Sequence, residues 1–500
     1  MRSPRLVRIL TPVLLSCFAL SAHAQALSGE VVPLQAPVGT AQNALIEAKK
    51  SVSVVTAVRR GRKMLQDILA ERLKKAKQPY SVPNGMTAKI TLAVWDRGTD
   101  EITVVEATKS GTDLEITSGP KLPIKVSYSA KLYSQYELPP ASDSLVVGVI
   151  YPVLTAKTVA KKKAYEARDT VYVPHSPEFY VPEMLSAGSD YLSFLIQDAY
   201  DELRAKGIAS RAYPDRLVVD VIDPYLVKSI AVIEHSDHRS LLGDDDPERT
   251  VGRFLVKLAT NEDAAFDAAI SSAGAAGLVQ FIPSTYALMV KKRPDLGLIS
   301  DFRTGMADHK NAVKAQVAYL DMDLAGMSSV RDLYLSDRAK AGEYLAAAYN
   351  GGSTRVKRAY TAFGEDWDKS FKADLSAAQS DAAVLKKRMA TLQKQIDAGK
   401  DVKASKAALA KAKREREEAV VKIATLNKSS LREETVFYVA KLKRAYGMFA
   451  AGYFATPQAP SGALPIQEAQ PVAQTPASLA SNASPAVQIC FSEGGCSAVN

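Results

Sequence analysis

The spacing of apolar residues changes twice along this chain, from helical to strand-like and back, and those changes limit the folds open to it. From Ser81 the spacing is that of strands: Ile90, Leu92 and Val94 alternate with Lys89, Thr91 and Ala93. The turn-forming run Asp96-Arg97-Gly98-Thr99-Asp100 follows, then Ile102-Thr103-Val104, a pattern that predicts a β-hairpin. Further strand-like pieces occur at Ile124 to Tyr128, Leu145 to Tyr151 and Thr170 to Val173. From about Asp190 to about Phe454 the spacing is helical. Five hundred residues exceed one compact domain and predict two to four units. The expected fold is therefore α+β and multidomain, with a helical segment over 25–80, a β-rich accessory domain over 81–184 and a helical domain over 185–454. The first segment rests on Leu45, Val52, Val55, Leu65, Ile68 and Leu69 within a basic helical stretch from Gln42 to Lys75.

Inside the helical part, Ala378, Ala382, Leu385, Met389, Leu392 and Ile396 recur at steps of four and three. After the turn Asp397-Ala398-Gly399 the pattern resumes through Leu409, Ala412, Ala419, Ile423 and Leu426. Residues 370–428 thus read as an antiparallel helical hairpin of coiled-coil type, either a docking arm or a structural insertion.

Both ends of the chain differ in composition from the middle. Residues 1–24 read as a secretory signal: a basic start with Arg2, Arg5 and Arg8, an apolar run from Ile9 to Leu20, and the small-x-small site Ala22-His23-Ala24. The apolar run is too short to span a bilayer. Leu14-Leu15-Ser16-Cys17 is a poor lipoprotein site because of its second Leu. Export to the periplasm or cell envelope is the expectation. Residues 455–500 are rich in Pro, Ala, Gln and Ser and read as a flexible tail. Once Cys17 leaves with the signal, Cys490 and Cys496 remain, and an even count in an exported chain favours a disulfide between them. Net charge is +10, and without the signal 61 basic residues face 54 acidic ones, +7. That excess suits an anionic polymer or surface. No stacking or groove-reading motif accompanies it, so nucleic-acid binding is not expected.

The residues with the most chemical content lie at 271–285, SSAGAAGLVQFIPST. Small residues, two glycines and one amide, Gln280, open into an apolar turn ended by Pro283. Such a segment lets the backbone approach something closely, which fits a binding loop or a tight helix crossing. Upstream, two helices each end in a Glu beside an apolar stripe. One starts at Asp223-Pro224 and runs through Leu226, Ile230 and Ile233 to Glu234; the other starts at Asp246-Pro247 and runs through Val251, Phe254, Leu255 and Leu258 to Glu262. Periodicity does not choose between them. His235, Asp237 and His238 near Asp244-Asp245-Asp246 do not form the H-E-x-x-H arrangement and read as polar surface, not as a metal site.

The 271–285 run resembles the S-x-A-G-A-x-G-L-M-Q-x-x-P-x-T signature of soluble-type lytic transglycosylases, relatives of goose-type lysozyme, with Val279 in place of the Met. Leu345-Ala346-Ala347-Ala348-Tyr349-Asn350-Gly351-Gly352 is similar to that family's A-Y-N-x-G element, and Glu433-Glu434-Thr435-Val436-Phe437-Tyr438-Val439 to its E-T-x-x-Y-V helix. The resemblance spans about Asp223 to Tyr446 and implies a mainly α, lysozyme-like catalytic domain into which the hairpin is inserted. It implies cleavage of peptidoglycan between N-acetylmuramic acid and N-acetylglucosamine, with formation of a 1,6-anhydro sugar and no cofactor.

One Glu would act first as acid and then as base, and its pKa must be raised by desolvation. The nine residues from Glu262 to Ser271 match the family spacing. DPYLVKSIAVIE, however, resembles the family's D-P-x-L-V-x-A-I-x-x-x-E helix, so the reading adopted is Glu234, with 235–265 a helical insertion and Glu262 the alternative. By the same resemblance Ser271, Gln280, Tyr349 and Asn350 would contact substrate, Asn350 mainly by ordering its turn, whereas Glu434 and Tyr438 would be structural. The plainer readings are a cap for Ser271 and a core aromatic for Tyr349. A lysozyme-like hydrolase or a non-catalytic wall-binding scaffold, joined to an envelope protein partner through the hairpin or the β-rich region, are the rival functions.

Overall fold

The structure, a computed structural model, describes residues 53–454 except 76–78, 83–86, 160–161 and 244–245. The signal, the tail and the Cys490–Cys496 pair lie outside the described residues. Helix α1 (Val54–Lys75) leads into strands β1 (Tyr80–Val82), β2 (Ala88–Asp96), β3 (Ile102–Ser110), β4 (Asp113–Ser118), β5 (Lys125–Tyr128), β6 (Gln135–Glu137), β7 (Ser144–Val159) and β8 (Lys162–Tyr172). Six of these form one antiparallel sheet in the order β1-β8-β7-β2-β3-β4, and β5 pairs with β6. The expected hairpin is present, with Ala88 opposite Lys109 and Trp95 opposite Ile102.

Both faces of the sheet are covered. Ile90, Leu92 and Val94 enter one core with Val105, Val126, Tyr136 and Tyr172. Ala93 and Trp95 point the other way, into a core with Ala57, Val58 and Leu65 of α1. Thr91 is 2% exposed and accepts a hydrogen bond from Arg72 Nη2 at 2.9 Å. Helix α1 can lie this close because of Gly61: a Cβ there would sit 2.5 Å from Val147 Cγ2.

The helices that follow are α2 (Pro182–Ala205), α3 (Val218–Val221), α4 (Pro224–Glu234), α5 (His238–Leu242), α6 (Pro247–Asn261), α7 (Pro283–Lys292), α8 (Phe302–Ala307), α9 (His309–Gly326), α10 (Ser328–Tyr334), α11 (Arg338–Gly351), α12 (Ser353–Phe363), α13 (Lys372–Asp397), α14 (Val402–Ser429) and α15 (Glu433–Ala450). Helix α4 is buried nearly all round, with Leu226, Val227 and Ser229 to Ile233 inaccessible, so it runs through the centre of the helical core. Helices α2 and α6 pack against each other and also send Met184, Val256 and Ala259 into the core beneath the sheet. The β-rich and helical parts therefore share apolar side chains within one compact unit.

Helices α13 and α14 pack on one another along their length. Ala378, Leu409, Ala412 and Leu426 are buried, and Ala382, Leu385, Met389, Leu392, Ile396, Ala419 and Ile423 are half-buried between exposed neighbours. Burial in this pair thus follows the apolar seam of the sequence. Among the described residues no helix is long and apolar enough to cross a membrane.

Candidate active site

The site begins at the start of α4. Asp223 caps that helix by accepting from Tyr225 N at 2.9 Å, and Pro224 takes the first helical position, where no N–H is needed. The helix ends at Glu234. Lys441 of α15 closes the end, its Nζ donating to Ile233 O at 2.7 Å and to Ser236 O at 2.8 Å.

Glu234 projects from this end into an aromatic setting. Tyr438 of α15 donates its hydroxyl to Glu234 Oε1 at 2.7 Å. Burial pushes the Glu234 carboxyl up to about 7, and Glu434 adds to the rise, whereas the Tyr438 hydrogen bond and the Lys441 ammonium act against it. The hydroxyl of Tyr349 is held well above its ordinary range by burial and by the proximity of Glu234. Two other carboxyls are raised by burial to about 6, Asp267 and Asp323, but Asp267 faces Asp263 and Arg303, and Asp323 faces Ser353, Lys357 and Tyr319.

The loop after Ile270 is folded on itself and docked against the ends of α4 and α11. Gly274 and Gly277 have φ of 81° and 74°, and Gln280, a non-glycine, has 50°. Gly277 must be glycine on two counts: its backbone is left-handed, and a Cβ would lie 2.3 Å from Met306 O. Two consecutive carbonyls then point at neighbouring side chains. Leu278 O accepts from His235 Nε2 at 2.9 Å, and Val279 O accepts from Tyr349 Oη at 2.7 Å. The residue that follows Glu234 and a residue near the end of α11 thus both grip the loop. Phe281 fills the space behind them, 5.7 Å from the Tyr349 ring and 5.6 Å from that of Tyr319.

The individual site residues meet varied fates. Glu234 and Tyr349 come together beside the loop. Gln280 is half-buried, and its amide nitrogen donates to Gly277 O at 2.8 Å and Ala269 O at 3.3 Å, which holds the loop's own turn. Ser271 is exposed; its hydroxyl accepts from Ala275 N at 3.0 Å within a turn of the loop, and no helix starts there for it to cap. Asn350 Oδ1 accepts from Thr435 Oγ1 at 2.8 Å, tying α11 to α15.

Glu262 stands elsewhere. Helix α6 stops one residue before it, and a φ of 47° turns its side chain toward α1, where it pairs with Arg62 and, at 3.8 Å, with Arg59. The stripe-side position inferred from helical spacing fails because the helix has already ended.

Tyr438, for which the sequence favours a structural role, is the hydroxyl that contacts Glu234. The E-T-x-x-Y-V match pointed at this residue, but pairing it with Glu234 requires a contact across 204 positions of sequence. His235, taken as polar surface, is stacked on Phe266 with centroids 3.9 Å apart, and burial drives its pKa down to about 3. Its neutral ring serves as a donor to the loop. Lys441 had no signal in the sequence at all. Among the described residues no group of three or more His, Cys, Asp or Glu is arranged to hold a metal ion.

Residues 248–371 match the family model described as the transglycosylase SLT domain. The match takes in the glycine-rich loop, Tyr349 and Glu262, begins after Glu234 and ends immediately before α13. No curated protein and no solved structure matches the chain.

Proposed function

We propose that this chain, which carries a transglycosylase SLT domain and with it a lytic transglycosylase domain of the lysozyme-like fold, cleaves peptidoglycan strands in the cell envelope with Glu234 as acid and base. At family level the domain indicates peptidoglycan cleavage of the lytic transglycosylase type. The observation that carries the finer reading is a carboxyl held at about 7, at a helix end, beside the loop of the matched domain and 2.7 Å from a tyrosine hydroxyl. Glu262 lies within the matched segment, but its side chain turns to α1 and is engaged in ion pairs with Arg59 and Arg62.

The chemistry follows from that carboxyl. Protonated Glu234 gives its proton to the bridging oxygen as the bond from C1 of N-acetylmuramic acid to that oxygen breaks. Positive charge develops at C1 as in other glycoside cleavages. The 6-hydroxyl oxygen of the same sugar then bonds to C1, and its proton returns to the Glu234 carboxylate. One C–O bond breaks, one forms, no water is consumed, and the enzyme regains its starting state. A pKa near the working pH lets one group serve both steps. Tyr438 occupies Oε1, so this reading assigns the proton transfer to Oε2. Neither step calls on a cofactor.

Mass spectrometry of fragments released from purified sacculi tests this reading. The expected products are anhydro-muropeptides. Reducing-end products heavier by one water would mean a hydrolase on the same fold, and no released fragments would mean a wall-binding protein without activity.

Tyr438→Phe offers a second measurement. The phenol donates to the carboxylate form, and a hydrogen bond to a charged group is worth about 1.5–3 kcal/mol. Its loss raises the Glu234 pKa further, so the alkaline limb of kcat is expected to move up by about one pH unit or more. A limb that stays in place would show that Tyr438 is not coupled to the titrating group.

A further inference from the structure

Charge on this chain is concentrated in the α13–α14 hairpin. Between Lys372 and Ser429 there are fourteen Lys and Arg against seven Asp and Glu. Of the 61 basic and 54 acidic residues that follow position 24, the hairpin's share leaves 47 of each sign for the rest, which is therefore neutral. Within the hairpin the charge is distal. Residues 386–414, which include the tip, hold ten basic side chains (Lys386, Lys387 and Arg388 among them) against two acids, Asp397 and Asp401. All ten are exposed. Among the described residues only Lys411 of the ten has an acidic partner, Glu415 at 3.8 Å. Elsewhere basic side chains commonly stand in ion pairs, as Arg60 does with Asp100 and Lys314 with Glu202. An exposed, unneutralised patch of this size creates a field that attracts a polyanion.

Where the arm is rooted indicates what it meets. Helix α13 starts directly after the matched domain, and α14 ends four residues before α15, the helix that carries Tyr438 and Lys441. One root thus adjoins a helix of the site and the other follows the matched domain, and 26 residues of α13 make an arm about 39 Å long at ~1.5 Å per residue.

A lipid surface fits less well. A membrane-surface helix keeps a broad apolar face beside its basic one, whereas here the apolar stripes are consumed in the seam between the two helices. The exposed Val384, Val420 and Val421 lie on the root side of the basic segment. The tip itself, Asp397-Ala398-Gly399-Lys400-Asp401, has no large apolar residue.

We propose that the distal hairpin is an electrostatic docking arm for the carboxylate-bearing wall polymer itself, and that it holds the chain on the insoluble strand network while the site works nearby. The partner class rests on the peptidoglycan reading above; the charge and exposure do not. The test compares the full chain with a variant in which Lys386, Lys387, Lys394, Lys400, Lys403 and Lys406 are all Gln. Lys and Gln have similar helix propensities and all six side chains are exposed, so the helices should persist, and circular dichroism checks this.

Co-sedimentation with purified sacculi is measured at low and high salt. Controls are sacculi whose carboxylates have been amidated, and phosphatidylglycerol vesicles. The wild-type chain is expected to sediment at low salt, to be released by ~0.5 M salt, and to bind amidated sacculi about tenfold less. The six-fold variant should lose binding by about tenfold, with an equal rise in KM on sacculi and unchanged kcat on short soluble strands. Equal sedimentation of variant and wild type, indifference to amidation, or wild-type binding to vesicles but not sacculi would each overturn the proposal. Sedimentation does not require cleavage, so a chain that binds by this rule yet releases nothing would refute the catalytic reading and leave the docking arm standing.

Discussion

Glu234→Gln is expected to lower muropeptide release from sacculi by about 10²–10⁴-fold, the range over which a positioned acid or base contributes, while Glu262→Gln leaves it within about twofold. The amide keeps the shape and can still accept from Tyr438, but it has no proton to give. Glu262→Gln removes only a partly exposed ion pair with Arg59 and Arg62, at a cost of about 1 kcal/mol.

The same substitution has a second readout that is independent of catalysis. The folded carboxyl titrates at about 7 against an ordinary 4.5, so the fold binds this proton more tightly than the unfolded chain does. The resulting stability is fully present below about pH 4.5 and is lost as pH rises through 7. Over those 2.5 pH units, at ~1.4 kcal/mol each, ionisation costs the fold about 3 kcal/mol by pH 8. Gln cannot ionise. Glu234→Gln should therefore melt a few degrees above wild type at pH 8 and close to it at pH 4.5. If it melts no higher at pH 8, the carboxyl is not desolvated and the acid role loses its physical basis.

That prediction joins a residue chosen from local text to partners the text did not reveal, and the reason is physical. Features set by neighbours in sequence were legible: the Asp223-Pro224 start of α4, the turn between β2 and β3, and the seam of the α13–α14 pair. Features set by distant packing were not. Glu262 shares a stripe with Leu255 and Leu258 only while the helix continues, and a single left-handed residue removed it from that face. His235 reads as surface from its polar neighbours, and only the folded chain brings Phe254 and Phe266 over its ring. Tyr438 and Lys441 reach the end of α4 from a helix that follows the whole hairpin.

Gly277→Ala is expected to be the most damaging single-methyl change in the loop, and Gly274→Ala separates its two causes. Both glycines are left-handed, a conformation that costs an Ala about 1–2 kcal/mol. At Gly274 the new Cβ would meet nothing closer than Pro283 Cδ at 3.8 Å, so strain should be the whole effect. At Gly277 the Cβ would lie 2.3 Å from Met306 O, a backbone atom that cannot rotate away, so the loop must move by about an ångström. The carbonyls that move with it are Leu278 O and Val279 O, the acceptors for His235 and Tyr349. Losing them loosens the end of α4 and the aromatic wall together, which admits water to Glu234 and lowers its pKa. Gly277→Ala should therefore lose about 3 kcal/mol or more of stability and about 10²-fold in muropeptide release, the scale of a one-ångström misplacement. Its alkaline limb should also shift to lower pH, which Gly274→Ala should not show. Matching pH profiles for the two variants would mean that the loop does not seal the carboxyl, and the raised pKa would then have to come from α15 alone.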